Sequence, residues 1–138
     1  MTAVARDDSG FVRGFSYHDG YLDGLVLGDA GTVYLGLRAQ SGERRVLTLR
    51  GVEALSVHGL REGNIVLNLR VVLAATAGAD AEIARLLSER LYLEPRDLTA
   101  DVLLFRLECS FGAEILAVCA DVEVSAPGAS LGPSGVTA

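Results

Sequence analysis

The residues able to do chemistry in this chain are few: two histidines, His18 and His58, and two cysteines, Cys109 and Cys119. His18 lies in Tyr17-His18-Asp19-Gly20-Tyr21, with Asp23 two residues further on. An imidazole next to carboxylates is an N/O donor set for a divalent cation, which makes His18 and Asp19 candidate metal ligands. The same residues also read as a turn, in which Asp19 and Gly20 reverse the chain and His18 bonds locally.

His58 is the second centre. If segment 54–58 pairs as a hairpin with 64–73, His58 stands opposite Asn64, and Ser56, Asn68, Arg50 and Arg70 share its parity. That gives a candidate ligand-binding set of Arg50, His58, Asn64, Asn68 and Arg70. Arginine grips a carboxylate or phosphate with a bidentate fork, so an anion is the expected ligand, with Tyr34 a further contact. The plain alternative is the solvated face of an antiparallel sheet, which is polar for no functional reason. Arg61-Glu62-Gly63-Asn64 suits a hairpin tip, either a simple turn or a recognition loop on a rigid sheet.

Nucleophilic catalysis finds little support. Ser16 and Ser56 lie two residues from histidines, but neither sits in a Gly-x-Ser-x-Gly elbow. Gly24, Gly28, Gly31 and Gly36 imitate a phosphate loop, yet their spacing crosses two strands and no helix N-terminus follows.

The elements that must position these residues follow from turn arithmetic. Residues facing each other across an antiparallel pair share a face. A loop of Asp29, Ala30 and Gly31 sets Leu27 against Val33 and Leu25 against Leu35. A loop of Ser41, Gly42 and Glu43 sets Leu37 against Leu47 and Leu35 against Leu49. After a corner or bulge at Gly51, a loop of Leu60, Arg61 and Glu62 sets Val57 against Ile65 and Leu55 against Leu67. Next, Asp80 is a fitting N-cap. Ile83, Leu86, Leu87 and Leu91 then form one helical stripe, and Pro95 ends the helix, about 81–92.

Two more strands, 101–109 and 113–124, turn around Ser110, Phe111 and Gly112. Leu103, Phe105 and Leu107 alternate with Val102 and Leu104, which fits a strand covered on both faces, central or beneath the helix. If Cys109 faces Ala113, Cys119 faces Leu103, and the thiols are about 20 Å apart at about 3.3 Å per residue, too far for a disulfide. The expected fold is α+β and mainly β, an antiparallel meander forming a sandwich or small barrel of about seven strands with one helix. Residues 1–125 make one domain, and 126–138 a Gly/Ser/Pro/Ala tail of a composition that is normally disordered.

At 138 residues the chain is long enough for a real core. Its net charge of −6, with no lysine and scattered arginines, argues against nucleic acid and against an anionic membrane surface. Met1 to Gly10 contains Arg6, Asp7 and Asp8 and no apolar run, so it does not read as a signal peptide. The longest apolar stretch is too short to span a bilayer. A cytoplasmic location is the expectation.

At His18-Asp19-x-x-Leu22-x-Gly24, Leu49-x-Gly51-Val52 and Glu62-Gly63-Asn64 the first half of the chain resembles small bacterial single-domain proteins, some of them similar to immunity proteins that neutralise a partner toxin. The resemblance carries no catalytic residues and implies a bacterial interaction module. The expected function is therefore non-enzymatic binding of a protein partner or of a second copy, with no cofactor. The alternatives are a small anionic-ligand-binding sandwich, and a metal-dependent hydrolase using His18, Asp19 and His58.

Overall fold

The computed structural model describes residues 1–132 and 135–137; the tail reading at 133, 134 and 138 lies outside them. The strands are β1 (Thr2–Ala3), β2 (Ala5–Arg6), β3 (Val12–Arg13), β4 (Tyr21–Leu27), β5 (Val33–Arg38), β6 (Arg44–Arg50), β7 (Ala54–His58), β8 (Asn64–Leu73), β9 (Leu103–Phe111), β10 (Glu114–Cys119), β11 (Asp121–Val124), β12 (Ser130–Gly132) and β13 (Gly135–Thr137). Helices α1 (Ala74–Ala77) and α2 (Ala81–Leu86) lie between β8 and β9.

The fold is α+β and mainly β, as the alternation predicts. Nine strands form one antiparallel sheet in the order β1-β11-β6-β5-β4-β8-β9-β10-β7, and β2–β3 and β12–β13 form two small ribbons. The sheet is not a closed barrel; it folds over on itself. β6 pairs with β11 while β7, its continuation, pairs with β10, so 44–58 and 114–124 run side by side through both halves. They bend together at Gly51 and Ala120. Gly51 has φ +63°, and a Cβ there would stand 2.9 Å from the Ala120 Cβ, so only glycine fits this corner.

The core fills the space between the halves. Leu22, Leu35, Leu47 and Leu49 from one half meet Val66, Leu69, Phe105, Leu107 and Ile115 from the other. The opposite face of the β8–β9–β10 half carries Leu104, Leu116 and Val118, covered by Ile83, Leu86 and Leu87. β9 is thus a central strand buried on both faces, and Cys119 faces Leu103 as the turn arithmetic requires. The termini cover the outer face of the other half. Thr48 Oγ1 donates to Met1 Sδ at 3.0 Å, and Leu131 of β12 lies over Gly24 and Gly36, cross-strand partners without side chains. The described part of the expected tail is held by this contact and by the Gly128 N–H on the Arg44 carbonyl.

Leu25 faces Leu35 and Leu27 faces Val33 as expected. The next register differs by two residues: Leu35 faces Leu47 and Leu37 faces Arg45. Gly42, with φ +92°, takes the last position of the loop as Gly31 does, and Ala39 and Glu43 close it. A shift of two keeps every side chain on its face. The expected pairing of 54–58 with 64–73 does not form; β10 and β9 stand between β7 and β8. The expected helix 81–92 is α-helical only to Leu86, then widens into a π-turn over Leu87–Leu91 and stops at Tyr92, which has φ +57°. Asp80 caps it, its carboxylate accepting the Glu82 and Ile83 N–H groups. Pro95 opens a short 3-10 turn, Pro95–Asp97.

Candidate functional site

β8, β9, β10 and β7 bring His58 and Asn68 to one outer surface by a route other than the expected hairpin. One register row runs Asn68, Glu108, Glu114, His58, and the next runs Arg70, Arg106, Leu116, Ser56. His58, Ser56, Asn68 and Arg70 therefore share a face, but three inter-strand steps, about 14 Å at about 4.8 Å each, separate β7 from β8. Of the side chains interposed, Glu108, Glu114 and Arg106 are charged and Leu116 is buried.

Each row sets like charges opposite each other, Glu108 against Glu114 and Arg70 against Arg106, which costs energy unless relieved. Arg106 relieves it diagonally. One of its terminal nitrogens lies 3.1 Å from Glu108, 3.0 Å from Glu114 and 3.5 Å from Glu82 of α2. Arg90 adds a second guanidinium 3.6 Å from Glu114. Arg70 turns aside to Asp80 at 2.8 Å, donates to the Ser9 carbonyl at 2.8 Å, and stacks over Phe11 at 5.3 Å. That ion pair and the capping N–H groups hold the Asp80 carboxyl below its usual range of 3.8. Between these groups is a cleft of about 220 Å³ lined by Phe11, Asn68, Arg70, Glu82, Arg106 and Glu108.

The other expected ligand residues lie apart from this surface or are already engaged. Arg50 is at the end of β6, in the other half of the sheet, and donates from Nε to Glu123 of β11. Tyr34 faces Thr48 in that same half. Asn64 is 2% exposed and fully bonded. Its Oδ1 accepts the N–H groups of Arg61 and Ala113, each at 3.0 Å, and its Nδ2 donates to the carbonyls of Leu22 and Arg61.

Asp19 and Gly20 form the expected turn, but His18 does not bond locally: its partner is 49 residues away. Asp19 has φ +60°, and the Gly20 N–H closes on the Tyr17 carbonyl. His18 Nδ1 lies 2.7 Å from the Leu67 carbonyl, an acceptor only, so the proton sits on Nδ1. Nε2 is 3.6 Å from Asp19. Among the described residues, no three His, Cys, Asp or Glu side chains gather to hold a metal. The thiols are poor nucleophiles: burial pushes Cys109 up to about 11 and Cys119 to about 12.

The sequence marks Arg61-Glu62-Gly63-Asn64 as a recognition loop, but not the apolar side chains that join it beside β7. The 59–63 loop arches over the β9–β10 turn, where Gly59 packs on the Gly112 carbonyl. Asn64 clamps the loop, the turn and β4 together. On this rigid tip Leu60 and Phe111 are half exposed, and the Arg61 guanidinium lies 4.3 Å over the Phe111 ring. Phe111 was legible only as a turn residue, because nothing local places Arg61 above it. No helix among the described residues is long and apolar enough to cross a membrane. No family model matches the chain, and neither the curated proteins nor the solved structures yield a significant match.

Proposed function

We propose that this chain is a non-enzymatic domain that works by binding a protein partner through the tip at Leu60, Arg61 and Phe111 and the adjoining strand β7. The observation that carries this reading is the tip itself: two large apolar side chains about half exposed, an arginine stacked on one of them, and backbone fixed by the four hydrogen bonds of Asn64. Aromatic residues and arginine dominate binding hot spots, and a preordered surface loses little entropy on association. Two protonated thiols and a histidine tied to a backbone carbonyl offer little to a reaction. The anionic-ligand reading has weaker support, since the guanidiniums of Arg70 and Arg106 already face carboxylates.

The test is affinity capture from the native lysate with the wild-type chain and with a Leu60→Glu/Phe111→Ala variant of matched thermal stability. One near-stoichiometric protein, retained by the wild type and lost by the variant, is the expected result. Identical captures would remove the tip from the reading.

A further inference from the structure

The cleft beside Arg106 does not end at Asn68. A second, more open cleft of about 310 Å³ shares Phe11 and Asn68 with it and continues past Tyr17 and His18. The two join into one groove along β8, within the roughly 300–1,000 Å³ of small-ligand sites. Its walls carry three guanidiniums, Arg13, Arg70 and Arg106, and three carboxylates, Asp7, Glu82 and Glu108, so the charges cancel. Each guanidinium is already held, Arg13 by Asp7 at 2.9 Å, Arg70 by Asp80 at 2.8 Å and Arg106 by Glu108 at 3.1 Å. A charged ligand would have to break such a pair and leave one member uncompensated.

A guanidinium has five N–H groups and a carboxylate about four acceptor sites. The contacts of Arg106 with its three glutamates all run through one terminal nitrogen. Such a pair offers spare donors beside spare acceptors with no net charge. A hydroxyl, donor and acceptor at once, matches that lining. The other walls suit the same ligand. Tyr17 turns its hydroxyl to the Val12 carbonyl at 2.7 Å and, with Phe11, leaves a ring as apolar wall. The negative face of an aromatic ring attracts the polarised C–H groups of a sugar. Between them, a bulge leaves Leu67 unpaired and sets the position of Asn68, the kind of irregularity that re-aims a side chain beside a site. Among the described residues, the one hydrogen bond of the Asn68 side chain is to Glu108 at 3.5 Å, the limit of such a contact. The groove is also preordered. Asp7 accepts the N–H groups of Ser9 and Phe11, and the Val71 N–H donates to the Gly10 carbonyl, so little entropy is lost on binding.

We infer that this groove binds a short neutral oligosaccharide, its hydroxyls bonded to Asn68 and the paired charges and its rings laid against Phe11 and Tyr17. The site shares no residue with the tip at Leu60 and Phe111 and does not rest on the protein-binding reading. The test is an array of neutral, acidic and amino oligosaccharides probed with the full chain, each hit then titrated by calorimetry. At least one neutral oligosaccharide is expected to bind with a Kd of about 1 mM or tighter. That Kd should hold from about 50 to about 500 mM salt, because no ion pair forms across the site. Asn68→Ala and Phe11→Ala should each weaken it at least about tenfold, with Asn68→Ala keeping the far-ultraviolet circular dichroism of the wild type. Leu60→Glu/Phe111→Ala should bind the sugar as the wild type does. Retention of acidic or amino sugars alone, with affinity that falls as salt rises, overturns the neutral ligand. Neutral binding that survives Asn68→Ala places the sugar elsewhere and overturns the site. No neutral binding up to about 10 mM overturns the inference outright, and leaves the tip to stand or fall on its own capture experiment.

Discussion

Asn64 Oδ1 accepts the backbone N–H of Ala113 at 3.0 Å, across 49 positions of sequence. The same amide bonds Arg61 and Leu22, so one buried side chain ties the 59–63 loop, β4 and the β9–β10 turn into a single unit. A Cβ on Gly112 would stand 2.3 Å from this Oδ1, so the turn accepts no larger residue there.

Asn64→Ala leaves those backbone groups without a partner, and burial of unpaired polar groups is costly. The expected loss is about 2–4 kcal/mol in chemical denaturation. Asn64→Asp places an acceptor where Nδ2 now donates to two carbonyls and should lose at least as much. A change below about 0.5 kcal/mol for either variant would mean the clamp is not structural.

The corner at Gly51 makes a separate prediction. Gly51→Ala forces a Cβ into left-handed backbone and against Ala120, with an expected cost of about 1–3 kcal/mol. Gly42→Ala has a similar positive φ but nothing within 4 Å of the new Cβ. The difference between the two isolates the contact from the backbone strain.

Why some of this was legible and some was not follows from what local sequence encodes. Leu25 opposite Leu35 and Cys119 opposite Leu103 could be read because a short turn fixes both the neighbour and the register. Val57 against Ile65 satisfied the same parity rule, yet parity reports a face and never a neighbour. Two further strands pass between them, and Asn64 bonds the β9–β10 turn beneath the loop, a contact no local window contains. The polar surface was legible in part for the same reason: Asn68, Arg70, Ser56 and His58 share a face whichever strands intervene. The glutamates and Arg106 between them came from distant sequence. The π-turn after Leu86 was invisible, since the stripe of Ile83, Leu86 and Leu87 fits an α-helix equally well.

Asp80 links the site to acidity. Its folded pKa lies below the ordinary 3.8, chiefly through the Arg70 bond. A depressed carboxylate contributes stability above its unfolded value and loses it as pH falls through the folded one. Asp80→Asn keeps a capping oxygen and loses the charge. It should be about 1 kcal/mol less stable than the wild type near neutral pH, and the gap should close below pH 3.8. A gap independent of pH would mean that the carboxylate charge does not carry the difference.

Arg106 is the last test, because one of its terminal nitrogens serves three carboxylates. Its side chain is 12% exposed, whereas Glu108 and Glu114 are 32% and 22% exposed, so solvent screens part of the interaction. Its Nε is buried and has no hydrogen-bond partner among the described residues, which offsets part of the gain. Arg106→Met removes that penalty but leaves Glu108 opposite Glu114 with only Arg90, 3.6 Å from Glu114, to offset the repulsion. The balance is an expected loss of about 2 kcal/mol. Adding Glu114→Gln relieves the repulsion the first substitution exposes, so the double variant should recover roughly half of the loss. If the two changes simply add, Arg106 does not bridge the facing glutamates and the network is a set of independent surface pairs.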